Sequence, residues 1–133
     1  MKKILVILFL LLISCNNDDD FNTDTVVGTW EITDRLADPG DGSGVFRPLS
    51  SGKRLQFNAD GTFSVTRGTL CGIANDENGN QTGTYSLEDS TISISCEGFP
   101  EQYGVVFELI SGRLVLNYLC IEPCAERYRK IGD

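Results

Sequence analysis

Lys53-Arg54-Leu55-Gln56-Phe57-Asn58-Ala59-Asp60-Gly61-Thr62-Phe63-Ser64-Val65-Thr66-Arg67 is the stretch whose reading decides the fold class. Leu55 and Phe57 alternate with polar residues on one side of Asn58-Ala59-Asp60-Gly61, and Phe63 and Val65 do so on the other. A period of two places all four on one face of two strands, as a half-buried sheet requires. The link is made of Asn, Asp and Gly, the residues that reach turn conformations cheaply. The stretch therefore reads as a β-hairpin with an apolar face in need of cover.

Outward from it the same period continues, with almost no helical stretch. The pattern predicts eight strands: Val26 to Arg35, Lys53 to Phe57, Thr62 to Arg67, Thr82 to Leu87, Thr91 to Cys96, Tyr103 to Ile110, Arg113 to Leu119 and Glu126 to Ile131. Short links at 58–61, 88–90 and 111–112 alternate strictly with long ones at 36–52, 68–81, 97–102 and 120–125. In an up-and-down antiparallel sheet, alternate connections lie at the same end. One end is therefore tight and the other looped. Closure removes exposed edges, so the expectation is an all-β, eight-stranded up-and-down barrel, with an open two-sheet sandwich as runner-up.

Of the 133 residues, 11 are Lys or Arg, 19 are Asp or Glu and none is His. Removal of the first fourteen residues takes Lys2 and Lys3 with it and leaves a net charge of −10. Phosphate-backbone binding relies on Lys and Arg clusters, so nucleic acid is not an expected partner. The lack of His excludes Ser-His-Asp and Cys-His catalysis. Glu97 and Glu101 flank Phe99-Pro100, but nothing sets the separation that paired-acid chemistry needs. No enzyme and no cofactor are expected.

The N-terminus, Met1 to Cys15, carries Lys2 and Lys3 ahead of an apolar run from Ile4 to Ile13. Ten residues are too few to span a bilayer, which takes about 20, and the flanks are those of a secretory signal peptide over residues 1–14. Leu12-Ile13-Ser14-Cys15 resembles the bacterial lipobox. That resemblance implies cleavage before Cys15, lipidation of Cys15 and membrane attachment. The acidic run Asp18-Asp19-Asp20 is similar to the surface-export tag of Bacteroidetes-type lipoproteins. It implies an outer-membrane lipoprotein exposed at the cell surface, with a periplasm-facing location as the alternative. Residues 15–25 are expected to be a polar tether, and 26–133 the folded domain.

Gly28-Thr29-Trp30 on the first strand resembles the Gly-x-Trp signature of lipocalins, and Asn58 to Phe63 resembles a run in lipocalin-like domains of bacterial lipoproteins. The resemblance covers residues 26–131. It implies a lipocalin-like barrel, with an Arg of the last strand across Trp30, either Arg127 or Arg129, the latter favoured. The chain is shorter than typical lipocalins and lacks their helix, which predicts an interior with little room.

The inward positions include Trp30, Phe57 and Phe63 toward the tight end. Tyr85, Tyr103, Tyr118 and Tyr128 are expected toward the looped end or the middle, where a hydroxyl finds water or a partner. Phe46, Tyr85, Phe99, Tyr103 and Tyr118 are thus the candidate ligand contacts, with Phe46 on a lid formed by Asp38 to Ser51. The leading expectation is a small apolar or amphipathic ligand at the looped mouth. The alternative is a solid barrel whose rim loops bind an envelope protein or glycan.

Cys71, Cys96, Cys120 and Cys124 all fall at the looped end, and an even count in an oxidising compartment implies two disulfides. Cys71–Cys96 with Cys120–Cys124 is the preferred pairing, and Cys96–Cys120 with Cys71–Cys124 follows closely. A four-Cys zinc site lacks the short paired spacings. Asp76, Asn78 and Asn80 have EF-hand spacing, but Gln81 stands where Gly is required, so turns rather than metal are expected there.

Overall fold

The computed structural model describes residues 21–73, 78–99 and 103–133. The described residues form nine strands: β1 Gly28–Ala37, β2 Arg47–Pro48, β3 Arg54–Phe57, β4 Thr62–Thr66, β5 Asn80–Ser86, β6 Thr91–Ile94, β7 Tyr103–Ile110, β8 Arg113–Asn117 and β9 Cys124–Gly132. Strands β3 to β9 pair in sequence order, and β1 pairs with both β3 and β9. The sheet is a closed eight-stranded antiparallel barrel. The extra strand β2, unexpected from the sequence, continues the β3 edge of β1 through Asp34↔Pro48 and Arg35↔Arg47.

The hairpin of 53–67 forms in register, with Leu55 opposite Val65 and Phe57 opposite Phe63. All four point inward and are buried. Gly61 N donates to Asn58 O, and Asp60 accepts from Thr62, so the turn residues serve the turn. Gly28 begins β1 opposite Phe57, at the tight-turn end. A Cβ at Gly28 would meet the Gly132 carbonyl and the Lys130 side chain, and its φ of +125° suits glycine alone. The Gly of Gly-x-Trp is therefore demanded by the closure of β1 on β9.

Rings fill the tight-turn half. Phe57 meets Phe63, Tyr85 and Phe107 edge-on at centroid distances of 4.9, 5.1 and 5.8 Å. Such pairs add about 0.5–1.5 kcal/mol each beyond burial. Tyr85 belongs to this dry end, not the looped one, because its hydroxyl donates to Asn58 O at 2.6 Å beside the first tight turn. Trp30 is fully buried and donates from Nε1 to Val26 O at 2.7 Å, so the segment before β1 folds across this end.

Arg129 does not pack on Trp30. Tyr128 faces inward, so period two sends Arg127 and Arg129 outward and brings Lys130 opposite Trp30. Arg129 pairs with Glu31 on the outer wall at 2.9 Å. Lys130 Nζ lies 5.7 Å from the Trp30 ring centroid, bonds the Asn22 carbonyl and pairs with Asp133. The aromatic–cation contact is present, with a lysine one position later as its cation.

The register of β1 on β9 passes from Ile32↔Tyr128 to Asp34↔Arg127, leaving Thr33 as the extra residue of a β-bulge. A bulge reverses the alternation beyond it. Trp30 and Ile32 face in before it; after it Asp34 faces out to Arg127 and Arg35 turns in to Glu126.

Candidate functional site

The looped end of the barrel is polar inside. Lys53 precedes β3, Arg35 lies past the bulge of β1, Tyr118 follows β8, and Glu126 and Tyr128 lie on β9. Their inward parities converge on one carboxylate. Glu126 is fully buried and accepts from Arg35 Nη2 at 2.7 Å, Lys53 Nζ at 2.8 Å, and the hydroxyls of Tyr118 and Tyr128 at 2.6 Å each. Among the described residues no buried side-chain nitrogen or oxygen lacks a partner.

Burial alone would raise the Glu126 carboxyl. The Lys53 charge and the hydrogen bonds from Lys53, Tyr118 and Tyr128 outweigh it and hold the carboxyl below its ordinary value. Burial pulls the Lys53 ammonium below its ordinary value, against the opposing pull of Glu126. Both tyrosines are raised well above theirs, by burial first, with the Glu126 charge adding to it. At neutral pH the hydroxyls are donors, and the cluster carries two cations around one anion.

An apolar stopper closes this end. Leu70, in the link between β4 and β5, is fully buried in the core, and Leu49, Cys71 and Ile73 pack against the same cluster. Leu70 N donates to Gln81 Oε1 at 2.9 Å, and Gln81 Nε2 donates to Ser95 O at 3.0 Å. The Cys71–Cys96 disulfide ties the link to the end of β6, and Cys120–Cys124 closes the β8–β9 loop. The preferred pairing is the one present.

The other candidates divide. Tyr103 is buried at the start of β7 and meets the half-exposed Phe99 at 5.1 Å, so these two reach the looped rim. Tyr118 reaches the interior cluster. Tyr85 does not belong to this end. Phe46 is not over the mouth either: its ring lies 4.5 Å from the Arg127 guanidinium on the outer wall. The 38–51 segment is held down instead of acting as a lid, because Asp38 accepts from the amides of Gly40, Gly42 and Gly44 and its own N donates to Pro123 O.

Sequence reasoning missed Glu126, Lys53, Arg35 and Leu70. Continuing the inward parity of Leu55 back to Lys53 and of Tyr128 back to Glu126 flags a buried ion pair. Arg35 carried no such signal, since its direction depends on the bulge, and Leu70 sits in a link without periodicity. Cys15, the acidic run and Glu101 lie outside the described residues, as do Asn75, Asp76 and Glu77. Among the described residues no group of three or more His, Cys, Asp or Glu is placed to hold a metal ion.

Comparison with known families finds a match to the model of a lipocalin-like domain over residues 26–116. The match stops short of β9, the strand that closes the barrel and carries Glu126. No curated protein matches the chain.

Proposed function

The chain belongs to the lipocalin-like domain family, and on that premise we propose that it is a membrane-anchored lipoprotein that takes one small amphipathic molecule at the looped mouth. Lipocalin-like barrels are in general binders of small ligands rather than enzymes. The observation that carries the reading is the charged cluster around Glu126 inside the looped end, the end from which Leu70 enters the core. Buried ion pairs are often no more stabilising than apolar filling, so retention of one at a barrel mouth suits recognition better than stability. The ligand displaces Leu70, lays its apolar part against Tyr103 and Phe99, and sets an acidic head toward Arg35 and Lys53.

A fluorescent fatty-acid analogue, titrated into protein purified under mild conditions, tests this. Leu70→Ala is expected to tighten binding and Lys53→Met to weaken it, and native mass spectrometry reports any molecule carried through purification. Absence of binding to both the wild type and Leu70→Ala rejects a mouth site.

Anchoring rests on the lipobox-like Leu12 to Cys15 and the acidic run Asp18 to Asp20. Cys15→Ala is expected to release the protein from membranes or leave it uncleaved. Surface proteolysis of intact cells separates an exposed protein from a periplasm-facing one.

A specific observation favours a second reading, a solid barrel that docks an envelope protein or glycan through its rim. Leu119 is 76 % and Ile121 fully exposed on the loop closed by Cys120–Cys124, with Phe99 half-exposed nearby in the topology. If this reading holds, wild type and variant alike bind no amphiphile, and Leu119→Ser with Ile121→Ser abolishes the hydrogen-exchange protection that envelope extract gives the rim.

A further inference from the structure

The outer wall carries a cleft apart from the looped mouth. Beyond Glu31, β1 parts from β3, and the segment 49–53 bridges the opening through Leu49 N to Thr33 O and Ile32 N to Lys53 O. A cleft of about 460 Å³ opens there, lined by Glu31, Leu49, Ser50, Ser51, Arg67 and Arg129 among others.

Its charge is unusual for so acidic a chain. Arg113, Arg129, Glu31 and Arg54 stand opposite one another in a row across β8, β9, β1 and β3. Arg129 and Arg54 share the single Glu31 carboxylate, at 2.9 and 3.1 Å. Arg113 directly opposite Arg129 adds a further cation to the row, beside the carboxylates of Glu31, paired with Arg129, and Asp34, which feels the Arg113 charge. At the far side, Arg67 has no hydrogen-bond or ion-pair partner among the described residues. Its backbone is held at φ +59°. Its guanidinium rests where a Cβ of residue 52 would stand, 2.6 Å from Nη1, and only glycine, here at φ +72°, leaves that space.

We propose that this cleft binds a phosphate group, free or carried on a lipid head group. Guanidinium forks match phosphate oxygens bidentately, and a phosphate offers acceptors toward Arg129 on one side and Arg67 on the other. A carboxylate presents two oxygens in one plane, whereas a phosphate presents at least three and can meet a fork from each side. The Ser50 and Ser51 hydroxyls supply further donors from the bridging segment.

Inorganic phosphate, titrated at constant ionic strength against chloride, is the first probe, read by amide shifts of Ser51, Gly52 and Arg67 and by the melting temperature. Saturable shifts with a rise in melting temperature are expected. Arg67→Gln and Arg129→Gln should each weaken binding at least about tenfold, the usual loss for a charge-assisted hydrogen bond. Arg67→Lys should recover little, because it keeps the charge and loses the fork. Arg47→Gln, outside the cleft lining, should leave binding unchanged. Glycerol phosphate separates the sources: tighter binding than inorganic phosphate assigns a head group, and equal binding assigns the free ion. Shifts that fail to saturate, that persist in Arg67→Gln, or that chloride reproduces overturn the proposal.

Discussion

Glu126 shows how one side chain holds several strands. Its carboxylate joins Arg35 of β1, Lys53 at the head of β3, Tyr118 at the end of β8 and Tyr128 of β9. Glu126→Gln leaves the buried Lys53 without its counter-charge. Breaking such a pair from one side costs about 3–5 kcal/mol, which urea unfolding measures. The acid response follows in sign. The folded carboxyl lies below its ordinary value of 4.5, so its contribution is complete above that pH and is lost as pH falls through the folded value. Glu31, lowered by Arg129 and then Arg54, and Asp34, lowered by Arg127 and then Thr33, act in the same direction from more exposed positions. The urea midpoint should fall as pH drops below that range, and more shallowly in Glu126→Gln. Lys130 and Arg129 give a contrast one residue apart. Lys130→Ala should shift Trp30 fluorescence and destabilise, whereas Arg129→Ala, an exposed ion-pair partner, should cost no more than about 1 kcal/mol.

The elements at the looped end are held by cross-links and turn carboxylates. Cys71–Cys96 spans 25 residues and Cys120–Cys124 spans four. Chain-entropy arguments put the first at about 3.5 kcal/mol and the second at about 2 kcal/mol. Cys71→Ser with Cys96→Ser should therefore be the more damaging pair, and the only one to loosen Leu70, visible as faster exchange at the Leu70 amide. Asp38 organises the segment before β2 with three glycine amides, and their hydrogen bonds, Gly44 and Gly40 foremost, keep its carboxyl below the ordinary range. Asp38→Ala should speed hydrogen exchange at Gly40, Gly42 and Gly44 while leaving the barrel amides protected. A global change in protection would mean that the segment supports the barrel itself.

The whole molecule is sealed differently at its two ends. Val26, Trp30 and Lys130 close the tight end, with the chain entering there through Asn22. Leu70, entering the core from the β4–β5 link, closes the looped end, where β1 meets Cys124 at Ala37. A tether at the N-terminal side would thus hold the looped mouth away from its point of attachment. Residue periodicity made most of this legible. Leu55, Phe57, Phe63 and Val65 lie inward and the short links at 58–61 and 111–112 sit where alternation places them, because a strand's faces and a turn's conformations are local properties. Pairing of Cys71 with Cys96 was legible for a related reason, since topology brings neighbouring loops together. The sequence by itself thus determined the eight barrel strands, the barrel, its tight and looped ends and the family signature. Tertiary structure alone decided that Arg35 turns inward, that Lys130 rather than Arg129 meets Trp30, that Phe46 lies on the outer wall and that Leu70 stops the mouth. Each of these depends on a bulge, a closing register or a loop docking on a distant strand, which are set by contacts between residues far apart in the chain and leave no mark on local pattern.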